Sequence, residues 1–144
     1  MKLVTAISDS ENNILAGHSA HIWGFKKDDV LRESIVGDFI TFWCSEKDNK
    51  ESQSFIGLGI ITGPQVRGKI KRNVWQDSDY YGEIPFKTLS LKKILLDQIR
   101  KDYGTTWSRL FTVNSSKLPV AQLSDELLKK FILSMLIWNL TIKL

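Results

Sequence analysis

The chain has 144 residues, 42% hydrophobic and 25% charged, with a formal net charge of +4 and a single cysteine, Cys44. That length suits one domain with a real core, and the composition is that of an ordinary soluble globular protein. One thiol excludes an intrachain disulfide and a CxxC metal knuckle, and the mild basic excess favours polyanionic partners without requiring one. The apolar start, Met1 to Ile7, meets Ser8 too early for a signal-peptide core. Phe131 to Leu144 is greasy but carries Asn139 and Lys143, short of the roughly 18 to 20 apolar residues of a bilayer span. The expectation is one cytoplasmic domain over 1–144, away from membranes.

In chain order, Leu3 to Ile7 reads as an opening strand. Ser10 to about Ala20 fits a short helix with Asp9 or Ser10 as N-cap and Gly17 near its end. Ile22-Trp23-Gly24-Phe25 reads as extended, and Lys26 to Ser34 as a polar connection. After the Gly37-Asp38 turn, Phe39 to Cys44 is dense enough for a central strand buried on both faces. The charged loop Glu46 to Glu51 leads to a matching strand, Ser54 to Thr62. Its glycines, Gly57 and Gly59, signal a bulge or a close approach, with tight sheet packing the simpler reason.

Gly63-Pro64 turns the chain into the basic run Arg67 to Arg72, which leads to Val74-Trp75, a turn region through Gly82, and a strand over Ile84 to Leu89. Pro85 suggests that this strand lies at an edge or begins late. Ser90 then reads as the cap of a helix on which Leu91, Ile94, Leu95 and Ile99 recur at helical spacing, ended by Gly104. Ser124 caps a last helix with Leu127, Leu128, Phe131, Ile132, Met135 and Leu136 on its core face. Strands with appended helices and no regular βαβ alternation predict an α+β domain built on a curved or barrel-like sheet.

Catalytic chemistry finds little support. Cys44 lies in a buried strand, where an inert thiol is the default, and no activated Ser or Cys with a base in reach stands out. His18 and His21 with Asp28 or Asp29 lack metal-site spacing, and Asp77 and Asp79 lack the later glycine and glutamate of a calcium loop. Neither enzyme activity nor a metal or other cofactor is expected.

The features that point to binding are aromatic and basic. Trp23, Trp75 and Tyr80 lie in polar or turn-like sequence, where a cage competes with core packing as the simpler reading, whereas Trp43, Trp107 and Trp138 have apolar neighbours that mark them as core. Separated aromatics converging on one polar side chain make a pocket for a flat, uncharged, methylated base, and each stacked ring contributes about 1 to 3 kcal/mol. On a regular strand Arg67, Lys69 and Lys71 share a face, with Arg72 beside them, a row able to follow a phosphate backbone. A solvated edge strand carrying the same cations is the competing reading.

Ser8-Asp9-Ser10-Glu11-Asn12-Asn13-Ile14 followed by Ile22-Trp23 resembles the opening of YTH domains, readers of N6-methyladenine. Asn13 stands ten residues before Trp23, and Tyr80 five after Trp75 in Val74-Trp75, spacings similar to that family. Phe111-Thr112-Val113-Asn114-Ser115 resembles the family's closing segment, and Glu83 to Leu89 is similar to EVE domains of the same PUA-like superfamily. Gly24-Phe25 replaces the small polar residues that usually follow the first Trp.

The resemblance implies a PUA-like fold in which Trp23, Trp75 and Tyr80 enclose a methylated base while Asn13 and Ser8 contact it. Arg67, Lys69, Lys71 and Arg72 are then the phosphate contacts. EVE- and YTH-like domains also serve McrB-type restriction systems, so methylated DNA, with an AAA+ effector domain following in a longer protein, is the leading expectation. An RNA reader and a protein-interaction domain are the alternatives. Burying one methyl contributes only about 0.8 kcal/mol, roughly fourfold in affinity, so selectivity must also come from leaving an unmethylated amino group poorly hydrogen-bonded. Duplex DNA adds the cost of flipping the base, which single-stranded RNA avoids.

Overall fold

The computed structural model describes residues 2–26, 34–46, 53–70, 80–113 and 123–136, the side chains of 68–70 excepted. The β-rich runs form β1 (Leu3–Ser8), β2 (Ile22–Phe25), β3 (Phe39–Cys44), β4 (Ser54–Ile61), β5 (Val66–Ile70) and β6 (Tyr80–Leu95). The helices are α1 (Glu11–Ala20), α2 (Leu96–Tyr103), α3 (Trp107–Leu110) and α4 (Asp125–Leu136). β1 lies parallel to β3, all other pairings are antiparallel, and the order is β1-β3-β4-β6-β2 with β5 also on β6. The result is an α+β fold, a curled half-barrel of mixed sheet flanked by helices.

Alternation along the strands sorts side chains into two cores. Val4, Ala6, Ile40, Phe42 and Cys44 face the first, which also holds Ile14 of α1, Trp23 and Phe25 of β2, and Ile84 and Phe86 of β6. Leu3 and Trp43, from the same two strands, face the second with Phe55, Leu58, Ile94, Phe111, Phe131 and Met135. Phe39 to Cys44 is thus buried on both faces, as its composition predicts.

β6 departs most from the sequence reading. It runs on as strand through Leu95, and the helix expected from Ser90 begins only at Leu96. Its register against β4 slips twice, between Ile56 and Leu58 and again between Leu58 and Gly59. Leu58 pairs with Ser90 but Gly59 with Thr88, and Ile56 with Lys93, so β6 carries extra residues. These bulges mimic helical spacing: Leu91 and Leu95 are 59% and 47% exposed, whereas Ile94 and Ile99 are buried. Gly57, at φ 79, supplies the opposing irregularity.

Pro85 marks no edge. It lies opposite Ile22 of β2, and on β6's other side β4 ends opposite Phe86 while β5 begins opposite Glu83. The missing N–H falls in this gap between partners, where the Pro85 carbonyl accepts the Thr62 N–H at 3.1 Å.

α4 starts at Ser124, whose hydroxyl accepts the Leu127 N–H at 3.3 Å, and Asp125 and Glu126 occupy its first turn as its dipole favours. Its far end docks on β6, where the Ser90 hydroxyl donates to the Met135 carbonyl at 2.7 Å and the Lys92 ammonium to the Ser134 carbonyl at 2.6 Å. Phe131 and Met135 are its buried residues, while Leu136, expected in the core, is exposed.

Candidate nucleic-acid interface

The β1–α1 junction is a chain of short polar contacts. The Ser8 hydroxyl accepts the Ser10 N–H at 3.2 Å and reaches the Ser10 carbonyl at 3.4 Å, and the Ser10 hydroxyl accepts the Asn13 N–H at 3.2 Å. Ser10 is therefore the N-cap, and Ser8 shapes the turn that presents the helix. The Ser8 carbonyl accepts the Ser45 N–H at 2.8 Å, tying the turn to the end of β3.

Four-residue spacing puts Asn13 and Gly17 on one face of α1, with Gly17 one turn beyond. Gly17 meets the Trp23 ring: a Cβ there would lie 2.9 Å from Trp23 Cε3. Asn13, half-buried, is carried on the face of α1 that covers Trp23. The next stripe, Ile14 and His18, turns into the first core.

Trp23 is only 7% exposed and makes an edge-to-face contact with Phe42 at 5.0 Å. Its polar sequence surroundings suggest exposure, but Trp23 and Phe25 share one strand face across Gly24, a spacing that itself signals core. Tyr80, half-buried, lies over Gly24, where a Cβ would fall 2.7 Å from Tyr80 Cγ. Both aromatics thus belong to the β2–β6 pairing, in which Trp23 is opposite Ile84. Gly24-Phe25 has its reason here: glycine admits the Tyr80 ring and Phe25 packs inward, over Gly82.

Trp75, Lys71 and Arg72 lie outside the described residues, as do Asp28, Asp29, Asp77, Asp79 and Trp138. Arg67 is exposed on β5 and donates to Gln65 Oε1 at 3.3 Å; Lys69 follows on the same strand, its side chain outside the described set. The β5–β6 register shifts between Arg67 and Ile70, so strict alternation of the basic residues is interrupted there.

Two residues of this region take structural roles whose partners the sequence does not specify, one of them, His18, in keeping with the core-satisfied reading preferred to a metal ligand. His18 is buried and hydrogen-bonded at both ring nitrogens, to Thr88 Oγ1 at 2.8 Å and to the Ile56 carbonyl at 3.1 Å. Burial, and less so His21, pushes its pKa down, against the Ile56 hydrogen bond that raises it. Glu83, opposite Gly24, is buried although it bears a carboxyl group. Neither has a local sequence signal, because the partners that bury them come from distant strands. Burial pushes the Cys44 thiol up, keeping it protonated and inert. Among the described residues no three His, Cys, Asp or Glu side chains gather as a metal site would require.

No protein-family model matches the chain, and no curated protein matches it in sequence. Solved structures do. The Mmi1 YTH domain in complex with RNA is 15% identical at a TM-score of 0.64, over 99% of this chain and 80% of that one. The YTH domain of Zygosaccharomyces rouxii MRB1, in complex with N6-methyladenosine RNA, is 12% identical at a TM-score of 0.65, over 93% and 86%. The Pho92 YTH domain in complex with N6-methyladenosine is 14% identical at a TM-score of 0.65, over 93% and 82%. The fold is that of YTH domains.

Proposed function

We propose that this chain is a nucleic-acid-binding module, with no catalytic role, that reads N6-methyladenine in single-stranded RNA. The observation that carries this reading is the seating of two aromatics on β2: α1 meets Trp23 through Gly17, and β6 lays Tyr80 over the adjoining Gly24. It occurs in a fold whose solved counterparts include complexes with RNA and with the methylated base. In this reading Trp23 offers a margin of its indole, Asn13 hydrogen-bonds the base edge, and Trp75 and Tyr80 complete the enclosure. Ser8 acts through the turn it holds. Arg67, Lys69, Lys71 and Arg72 take the phosphates.

RNA displaces methylated DNA as the favoured ligand for two reasons. The structural counterparts named with a nucleic acid hold RNA, and an unpaired strand presents the base without the few kcal/mol of flipping. Fluorescence anisotropy with methylated and unmethylated oligonucleotides, RNA and DNA, tests the reading. Methylated RNA should bind tightest, and Asn13→Ala, whose capping N–H is unaffected, should weaken it about tenfold, the worth of a good hydrogen bond to a buried base. Equal affinity for methylated and unmethylated RNA would end the cage reading, and a preference for methylated DNA would restore the DNA alternative.

A further inference from the structure

α1 has little apolar surface with which to hold its place. Of its ten residues only Ile14, Gly17 and His18 are buried: an aliphatic contact, a close approach to Trp23, and an imidazole. His18 is the polar anchor. A backbone carbonyl only accepts, so Nε2, 3.1 Å from the Ile56 oxygen, carries the ring proton, leaving Nδ1 to accept the Thr88 hydroxyl at 2.8 Å. The ring lies edge-on to Phe42 at 4.6 Å and Phe86 at 5.5 Å. Space for it exists because residue 57 is glycine: a Cβ there would stand 2.5 Å from Nε2. One side chain thus joins α1 to β4 and β6, one residue from the glycine that seats Trp23 and five from Asn13.

We propose that His18, in its neutral form, is the positioning residue of the base site, holding Asn13 and Trp23 in register so that acid weakens base binding. The inference rests on the reader assignment. Protonation makes both ring nitrogens donors, so Thr88 must reverse its hydroxyl, and a cation is left among aromatic rings. The titratable side chain acting on His18 is His21, at the end of the same helix, whose charge opposes a second. β3, β4 and β6 present Phe42, the Ile56 carbonyl, Phe86 and Thr88, none of which titrates in this range. The folded-state pKa lies below the ordinary histidine value, so the stabilisation is complete above that value and is lost as pH falls through it toward the folded pKa.

The test measures affinity for an N6-methyladenine RNA oligonucleotide and its unmethylated counterpart from about pH 7.5 to about pH 5.5, the window in which histidine titrates. The proteins are wild type, His18→Gln, His18→Leu and His21→Gln, each with a denaturation curve at every pH. Glutamine supplies a donor and an acceptor but does not titrate. Wild type should lose affinity progressively toward the acid end of this range, because RNA that binds the form with a neutral ring opposes its protonation. His18→Gln should bind more weakly than wild type near neutrality but more tightly than His18→Leu, and should stay flat with pH, while His21→Gln should keep the wild-type slope. A flat wild-type profile, or one that His18→Gln shares, overturns the inference alone. No selectivity for the methylated base at any pH overturns the reader assignment and takes the inference with it.

Discussion

On one face of the sheet Phe55 sits among Trp43, Trp107, Phe111 and Phe131, ring centres 4.8 to 6.4 Å apart, with Met135 closing the stack. On the other, rings meet glycines: Trp23 on Gly17, Tyr80 on Gly24, His18 on Gly57, Phe86 on Gly59 and Phe25 on Gly82. The first arrangement packs ring on ring. The second adds to its ring contacts a close approach of ring to backbone, so that a single methyl at any of those glycines would overlap a ring. The face that carries the candidate site is therefore built for placement, and the opposite face for stability.

Phe55→Ala should separate these roles most sharply. Phe55 is fully buried and touches four aromatic rings, so truncation should cost about 3 to 5 kcal/mol in chemical denaturation. RNA affinity of the folded fraction should stay within about twofold of wild type, the change that a few tenths of a kcal/mol carries. Gly17→Ala should show the reverse balance. Alanine suits a helix, but its Cβ would stand 2.9 Å from Trp23, so the net cost should be about 1 to 3 kcal/mol, with affinity for methylated RNA falling by more than in Phe55→Ala. If both variants lose affinity only in proportion to stability, the two faces do not differ in role.

The sequence announces the stability side better than the placement side. Phe39 to Cys44 declares a doubly buried strand through density alone, and Ser10 and Ser124 declare their helix starts through capping chemistry. Those signals are local. The bulges that turn Leu91 and Leu95 outward depend on register against β4, and the burial of Trp23 depends on how α1 lies across β2. His18 illustrates the limit: its partners, Ile56 and Thr88, are 38 and 70 residues away, and nothing near position 18 foretells them. The spacing of Asn13 and Trp23 was legible; the glycine-to-ring contact that joins their elements was not.

Thr112 offers the smallest and most specific probe, on the stability side. After α3 the Val113 N–H bonds the Ser108 carbonyl at 2.9 Å and the Thr112 N–H the Arg109 carbonyl at 3.2 Å, the paired closure in which a left-handed residue ends a helix. Glycine usually fills that position, but here a β-branched residue adopts φ 58, buried, its hydroxyl without a hydrogen-bond partner among the described residues. Left-handed geometry costs a non-glycine residue about 1 to 2 kcal/mol, while threonine's buried methyl returns about 0.8 and glycine's extra chain freedom about 0.5 to 1. Adding about 1 kcal/mol for a hydroxyl without a partner among the described residues, Thr112→Gly should gain about 1 kcal/mol. Thr112→Ala also removes the hydroxyl but keeps the strained backbone, so glycine should exceed alanine by about 0.5 kcal/mol, a difference measurable as a denaturation midpoint shift. Equal midpoints would mean that the surrounding core, not the left-handed turn, sets the stability of this corner, and RNA affinity should be unchanged in both.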